Sequence, residues 1–507
     1  MLFKDMRILL NNLASDEGLI GPSVYDTAQV LRARLGVSDE DSVLDWLIAQ
    51  QNADGGWGQP HLPYTRDVPT LAALLAIDMH AAGSPARRAA VERGTDFLSR
   101  HAELWLAELT DDLPVAIEIL LPNLLRDARN AGLQVPSSPY HRISSLGTRR
   151  LSKLDQIPLS PGTPFTHSWE AYGNDPLADL VDKRGSVGNS PAATAWWLRA
   201  ARDAGTPASF WETGMEYLRR AADATRTGIP GVMPTVWPIE RFEQSFTLYA
   251  LQMGGLLHHP AIQDVVGTQL KSLGHAMTAG GLGMSDEFIP DGDDTAVALA
   301  VLAGSTPSLE ALERFAVDDH FVSYAGELHP SISVTAHAVH ALALQGSSSP
   351  RAREYVAASQ LADGRWGADK WHTSWIYTTS HSLIALLETP EPDREVVERA
   401  TRALLRSQLP DGAWGTGGNG GNTEESAYGV LALRALAAHG SADADVVDAL
   451  HSGEQWMQAA YRRSTTGDDG ERRWLGKEPY RPDRIVRMFE LAATMPTTAC
   501  RRPREDD

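Results

Sequence analysis

Three carboxylates fall within four residues at Asp291-Gly292-Asp293-Asp294, and an apolar run, Val297-Ala298-Leu299-Ala300-Val301-Leu302, begins three residues later. Acids this close repel one another when ionised. Burial against an apolar helix adds to that cost, so at least one pKa rises and a proton is held ready for transfer. The same residues support two other readings. Acids at a helix N-terminus complement its macrodipole, and a tight acidic loop can hold a divalent cation. Taken alone, the cluster does not choose among them.

What positions the cluster is a repetitive helical chain. The octapeptide pattern Q-x-x-D-G-x-W-G occurs at 51–58, 360–367 and 408–415. Asp-Gly suits a tight turn with positive φ, and the Trp brings a large ring and one N–H donor to plug between neighbouring helices. A looser repeat starts with Thr or Ser, runs through small and aliphatic residues at helical spacing and ends near glycine. Its copies are Thr27 to Gly36, Thr70 to Gly83, Thr194 to Gly205, Thr295 to Gly304, Thr335 to Gly346 and Ser426 to Gly440. These stretches are apolar around much of their circumference, as inner helices of a double-layered helical barrel must be. Period-two runs of β-branched residues are scarce. The chain is therefore expected to be all-α, built of helical hairpins closing into one or two α/α barrels. Proline-rich sequence between about 136 and 191 marks a long irregular connection, and Gly228-Ile229-Pro230-Gly231 marks the main domain boundary. A cleft between two related barrels would be a natural ligand site.

A chain of 507 residues with 43% hydrophobic content can supply large cores. The net charge of −20 opposes binding to nucleic acid or to an anionic membrane surface. The N-terminal residues lack the apolar core and cleavage site of a secretory signal, and no apolar run approaches the roughly 20 residues that span a bilayer. A cytoplasmic location is expected, and nothing in the sequence sets an oligomeric state. The only cysteine, Cys500, lies in a polar tail whose last residues, 501–507, are expected to be disordered. Disulfides, thiolate zinc sites and a cysteine nucleophile are disfavoured, which removes zinc prenyltransferase and thioester barrels from consideration. Carbohydrate-active α/α barrels, with two carboxylates as acid and base, remain open at this point.

The sequence resembles the class II terpene cyclases, bacterial prenyl diphosphate cyclases in particular, from Tyr25-Asp26-Thr27-Ala28 through Trp474-Leu475-Gly476-Lys477. Asp291-Gly292-Asp293-Asp294 matches the family's D-x-D-D motif. Further matching blocks are His167-Ser168-Trp169-Glu170, 190–195, Val232 to Pro238 with Phe242-Glu243, and Asp369-Lys370-Trp371-His372 with Tyr377-Thr378-Thr379. The resemblance implies a βγ didomain. Residues 1–35 would open the β domain, 36–224 would form an inserted γ domain, and 225–500 would complete the β domain, with the active site in the cleft between the two barrels. The D-D-x-x-D motif that ionises a diphosphate is absent, so the diphosphate would be retained.

By the same resemblance, Asp293 would protonate the terminal alkene of a linear prenyl diphosphate, with Asp291 and Asp294 tuning it and His337 contacting it. Trp237, Trp375 and Tyr377 would line the cavity and stabilise carbocations through their ring faces. His167 matches a histidine that holds a basic water together with an asparagine in plant-type relatives. Thr235 stands in the asparagine's place, so that pair is incomplete. Lys370 and Lys477, supported by Arg66, would bind the diphosphate, with Mg2+ bridging to an acid such as Asp67. Trp375 occupies a position where some bacterial relatives carry a much smaller residue, and Trp237 and Trp371 could crowd the same cavity. That favours a C15 substrate, farnesyl diphosphate giving drimenyl diphosphate. The alternative is C20 geranylgeranyl diphosphate giving a labdane-type product such as copalyl diphosphate; a squalene-type cyclase or a non-catalytic α/α scaffold fits less well.

Overall fold

The computed structural model describes residues 1–496 except 14–16, 38, 110–112, 155–156, 158, 206–207, 305–307, 326, 328–329, 419 and 464–469. Cys500 and the tail 501–507 lie outside the described residues. Helix α1 (Leu2–Asn11) buries Met6, Leu9 and Leu10, a stripe at helical spacing. It packs against helices from the far end of the chain, described below. The next eight helices form a first barrel. Its inner members are α2 (Val24–Ala33), α4 (Asp67–Asp78), α6 (Ile117–Asn130) and α8 (Pro191–Ala204); α3 (Glu40–Ala49), α5 (Pro85–His101), α7 (His141–Leu154) and α9 (Ala208–Ala224) pack outside them. A 3-10 segment, Pro164–Ala171, bridges α6 and α8 and so completes the ring.

The second barrel is closed. Its inner helices α10 (Glu240–Met253), α12 (Gly292–Val301), α14 (Ile332–Leu344), α16 (Trp375–Leu387), α18 (Thr423–Ala438) and α20 (Asp483–Thr494) each touch the next, and α20 returns to α10. Helices α11 (Gln263–Ala276), α13 (Glu310–Glu313), α15 (Pro350–Ala358), α17 (Arg394–Ser407) and α19 (Ala444–Arg463) lie outside, and α1 joins them against α11 and α20. Two short antiparallel hairpins, β1 (Ala316–Val317) with β2 (His320–Phe321) and β3 (Trp474–Leu475) with β4 (Pro479–Tyr480), are the only paired strands among the described residues. The expected all-α class is what the chain adopts.

The expected boundary at residue 35 differs from the observed arrangement. Helix α2 pairs with α4 and α8, so the leading piece of the second (β) domain ends before Val24, and the β domain resumes at α10. Val232, Met233, Val236 and Trp237 still pack with the inserted (γ) barrel. The Ala-rich pattern of an inner helix is the same in both rings, so periodicity alone does not say which ring a helix closes.

The repeat turns perform one job three times. Trp57, Trp366 and Trp414 are fully buried, and each indole N–H donates to a carbonyl ten residues earlier, on Leu47 at 2.6 Å, Val356 at 2.7 Å and Leu404 at 3.0 Å. Each Trp backbone N–H donates to a hydroxyl on the following inner helix, from Thr70, Thr379 or Ser426. The turn glycines Gly55, Gly364 and Gly412 have φ near +95° (95°, 92° and 95°), and a Cβ there would sit 2.3 to 2.6 Å from a neighbouring helix's carbonyl. Each unit therefore staples an outer helix to an inner one.

Candidate active site

Helix α12 begins on the acidic cluster. Asp291 is its N-cap, and one carboxylate oxygen accepts the N–H groups of Asp293 at 3.0 Å and Asp294 at 2.8 Å. Gly292 lies against a neighbouring loop, donating its N–H to Ser323 O at 2.9 Å, and a Cβ there would come within 2.1 Å of Val322 O. Only glycine fits that approach, so the second letter of the D-G-D-D sequence is dictated by packing. The N-cap reading and the acid-cluster reading are both realised: Asp291 caps the helix and is also buried within the cluster beside Asp294.

Burial and mutual repulsion act as the spacing predicts. Burial first, then the Asp293 charge, pushes the Asp291 carboxyl up to about 7 against the two N–H groups that favour its ionised form. Asp294 is raised well above the carboxylate range by burial and by Asp291, and it accepts a hydrogen bond from Ser245 Oγ at 3.2 Å. Asp293 is the most accessible of the three, with 16% of its side chain exposed. Its Oδ1 lies 2.6 Å from His337 Nδ1, on α14. His337 Nε2 in turn lies 2.7 Å from His381 Nδ1, on α16. Three consecutive inner helices thus contribute one buried Asp–His–His line.

Aromatic rings surround that line. Tyr249, Phe246 and Tyr377 stand edge-on to His337 at 5.3, 5.7 and 6.4 Å between ring centroids, and Trp474 lies 5.6 Å from Phe246 and 5.4 Å from Tyr377. Tyr324 and Tyr480 are close enough for the aspartates to raise their phenolic pKa values, burial being the larger cause in each. Of these aromatics the sequence reading singled out Tyr377 only. Tyr249 and Phe246 could have been found, since they share a face of α10 at i and i+3 with Phe246 three residues after Glu243. His381 could have been found as the residue four places after Tyr377.

The remaining predicted residues are placed as follows. His167 lies on the 3-10 segment of the γ barrel, its Nδ1 2.8 Å from Gly188 O; burial and the nearby Lys477 charge push its pKa down to about 3. Thr235 is fully buried, and no described group bonds its hydroxyl. Lys370, in the turn before α16, pairs with Glu327 and lies 5.2 Å from the Trp371 ring. Lys477 is not at a cleft mouth. It is 0% exposed, donates to Glu170 Oε1 at 2.7 Å and Ser190 Oγ at 2.6 Å, and lies 3.6 Å from Asp26. Arg66 is likewise committed, gripping both oxygens of Asp54 at 2.7 and 2.8 Å while stacking on Phe97. Trp237 donates to Gly18 O at 3.3 Å and packs in the γ-side core, and Trp375 carries the Arg365 guanidinium 4.9 Å from its ring centroid.

Asp67 does not fit a metal. It is fully buried, and its two oxygens accept from Tyr140 Oη at 2.7 Å and Trp105 Nε1 at 3.1 Å, with His101 Nε2 at 3.5 Å. Among the described residues, no group of three or more His, Cys, Asp or Glu side chains is arranged to hold a metal ion. No helix among them is long and apolar enough to cross a membrane.

Asp293 thus stands at the N-terminal turn of an inner barrel helix beside buried aromatic rings, and the chain belongs to the class II terpene cyclases. Residues 315–473 match the squalene-hopene cyclase C-terminal domain. The chain is 42% identical over 515 residues to the (+)-kolavenyl diphosphate synthase of Herpetosiphon aurantiacus, with 98% of each chain covered. It is 30% identical to the copalyl diphosphate synthase of Streptomyces cyslabdanicus over 98% of this chain and 96% of that one. The ent-copalyl diphosphate synthase from Streptomyces platensis superposes with a TM-score of 0.79 at 29% identity, covering 97% of this chain and 98% of that one. The chain is an enzyme of the cyclising intramolecular lyase and isomerase type.

Proposed function

We propose that this enzyme converts geranylgeranyl diphosphate into a bicyclic, labdane-type diphosphate. The observation that carries the reading is the Asp293–His337 contact within the D-G-D-D turn. Asp293 holds its proton on the oxygen turned away from His337 and delivers it to the terminal alkene. The alkene pair forms the new C–H bond, the resulting tertiary cation closes two rings by successive attack of internal alkenes, and loss of one proton restores a double bond. Atoms balance, so the step is an isomerisation and the diphosphate leaves unchanged. Phe246, Tyr249, Tyr377 and Trp474 supply the ring faces that would stabilise the charge as it migrates.

The relatives named for copalyl and kolavenyl diphosphates support a C20 substrate over farnesyl diphosphate. The steric case for farnesyl diphosphate rested on Trp375, Trp237 and Trp371. Trp237 is committed to the γ-side core, Trp375 to an Arg365 stack, and Trp371 donates to Ser323 Oγ at 2.9 Å. Each of these contacts holds its indole in place, and the names of the relatives weigh more than crowding by these rings.

His167, neutral around pH 7, is the proposed final base or the holder of a basic water. With Nδ1–H donated to Gly188 O, its Nε2 lone pair is left to accept. Lys370 is the proposed diphosphate anchor, exchanging Glu327 for the ligand. No step is routed through a metal. Incubation with geranylgeranyl and farnesyl diphosphates separately, followed by phosphatase and mass spectrometry, should give a cyclic C20 alcohol. Linear alcohols from both substrates would reject the reading, and a cyclic product from farnesyl diphosphate alone would restore the shorter substrate. Asp293→Asn should abolish cyclisation without lowering the melting temperature.

A further inference from the structure

The Asp293–His337 contact does not by itself fix which partner carries the proton between them. An acid that must protonate an alkene needs its proton on the oxygen facing the substrate. The oxygen facing His337 must then accept, so His337 must be the Nδ1–H tautomer. In a neutral His337 the Nε2 is consequently a lone pair. His381 Nδ1 lies 2.7 Å from that lone pair. For this contact to be a hydrogen bond, His381 must carry its own hydrogen on Nδ1.

We propose that His381 is a positioning residue: by donating Nδ1–H to His337 Nε2 it fixes the His337 tautomer, and through it places the Asp293 proton on the oxygen that reaches substrate. The inference rests on the proposed protonation by Asp293. The opposite tautomer of His337 would present a lone pair to Asp293 and draw the acidic proton onto the wrong oxygen, where it could not reach an alkene.

The surroundings of His381 fit this role. It is fully buried, against Tyr377 at 4.0 Å and Tyr428, Phe489 and Tyr249 at 5.7 to 5.9 Å between ring centroids. Burial and the nearby histidines hold it neutral, so it can donate from one nitrogen only. No described group bonds its Nε2. Leaving a lone pair there costs less than leaving an N–H without an acceptor, which again puts the hydrogen on Nδ1. The groups facing it, Tyr377, Tyr428, Phe489 and Tyr249, supply no carboxylate that would favour protonating it. The arrangement differs from a serine hydrolase triad, because the far residue is a neutral donor that orients, with no charge of its own.

Selective [15N]histidine labelling of the unliganded protein, with His337 assigned by difference from His337→Asn, reads the tautomer directly. The expected result is a protonated Nδ1 and an unprotonated Nε2 on His337. In His381→Leu the pattern should become mixed or inverted, and kcat should fall about tenfold to a hundredfold with KM little changed. His381→Asn, whose amide offers an N–H near the position of Nδ1, should restore both the 15N pattern and most of kcat. A protonated Nε2 on wild-type His337 would overturn the inference, as would a His381→Leu variant that keeps wild-type tautomer and kcat. So would a His381→Asn variant that recovers the tautomer but not turnover. The 15N signals need no substrate. Absence of any cyclic product from the wild type would therefore count against the proposed reaction, separately from the tautomer result.

Discussion

At the scale of single residues, burial in the interior of the β barrel pushes carboxyl pKa values up and imidazole pKa values down. His340 shows how this becomes measurable. Its Nδ1 lies 2.6 Å from the Tyr249 hydroxyl, and burial, with the neighbouring histidines, pushes its pKa down to about 3. In the unfolded chain the same ring titrates near 6.5. Below that pH the unfolded state therefore binds a proton the native state refuses, and the contribution of His340 to stability declines as pH falls from 6.5 toward 3. Replacing it with Phe should cost about 1–3 kcal/mol near neutral pH, because Tyr249 loses its acceptor. The difference in melting temperature between wild type and His340→Phe should shrink when both are measured at pH 4.5 in place of 7.5. Asp67 gives a second test at this scale. With Tyr140 and Trp105 as its partners, Asp67→Asn should lower the melting temperature while leaving the response of turnover to Mg2+ concentration unchanged.

At the scale of elements, the Q-x-x-D-G-x-W-G turns were legible because each is a local device. The glycine, the indole and its carbonyl acceptor lie within about a dozen residues, and their spacing repeats. Truncating Trp366 to Ala should cost about 3–5 kcal/mol, read by chemical denaturation, since the ring is fully enclosed and its N–H is bonded to Val356 O. The N-terminal turn of α12 was legible for the same reason. Gly292→Ala should be as damaging to turnover as to folding, because the loop of Val322 would have to move and would take the Asp293 geometry with it. What the sequence concealed were partners, whether 12 positions away, as Asp54 is from Arg66, or hundreds. Arg66 and Lys477 look like free cations until Asp54 is seen gripping the first and Glu170, 307 positions away, the second. Charge is readable from one residue, whereas neutralisation belongs to a pair that only the fold brings together. The placement of α2 was missed on similar grounds, since the same inner-helix pattern serves both rings.

At the scale of the whole molecule, the β3–β4 hairpin joins the two barrels. Trp474 leans into the aromatic bed beside Tyr377, the turn carries Lys477 into a buried cluster with Glu170 and Ser190 of the γ barrel, and Glu478 accepts the N–H groups of Val24 at 2.7 Å and Tyr25 at 3.1 Å at the start of α2. Removing the lysine charge would leave Asp26 and Glu170 buried without it. Lys477→Met should therefore cost about 3–5 kcal/mol and lose activity together with stability. Lys370→Met should raise KM for the diphosphate substrate and, because its partner Glu327 is also largely buried, lower the melting temperature by less than Lys477→Met does; equal thermal losses in both variants would dissolve the distinction.

Helix α1 is separated from the rest of its own barrel by the entire γ domain, yet Arg7 meets Asp264 at 2.6 Å and the Tyr461 hydroxyl donates to Asp5 at 2.6 Å. Synthesis on the ribosome runs from one end to the other. Helix α1 is thus made before α11 and α20, and Met6, Leu9 and Leu10 stay uncovered until those two helices follow. Completion of both barrels therefore waits on late sequence: the ring that carries the acid closes only when α20 returns to α10, and the γ barrel receives Lys477 and Glu478 only from the β3–β4 hairpin.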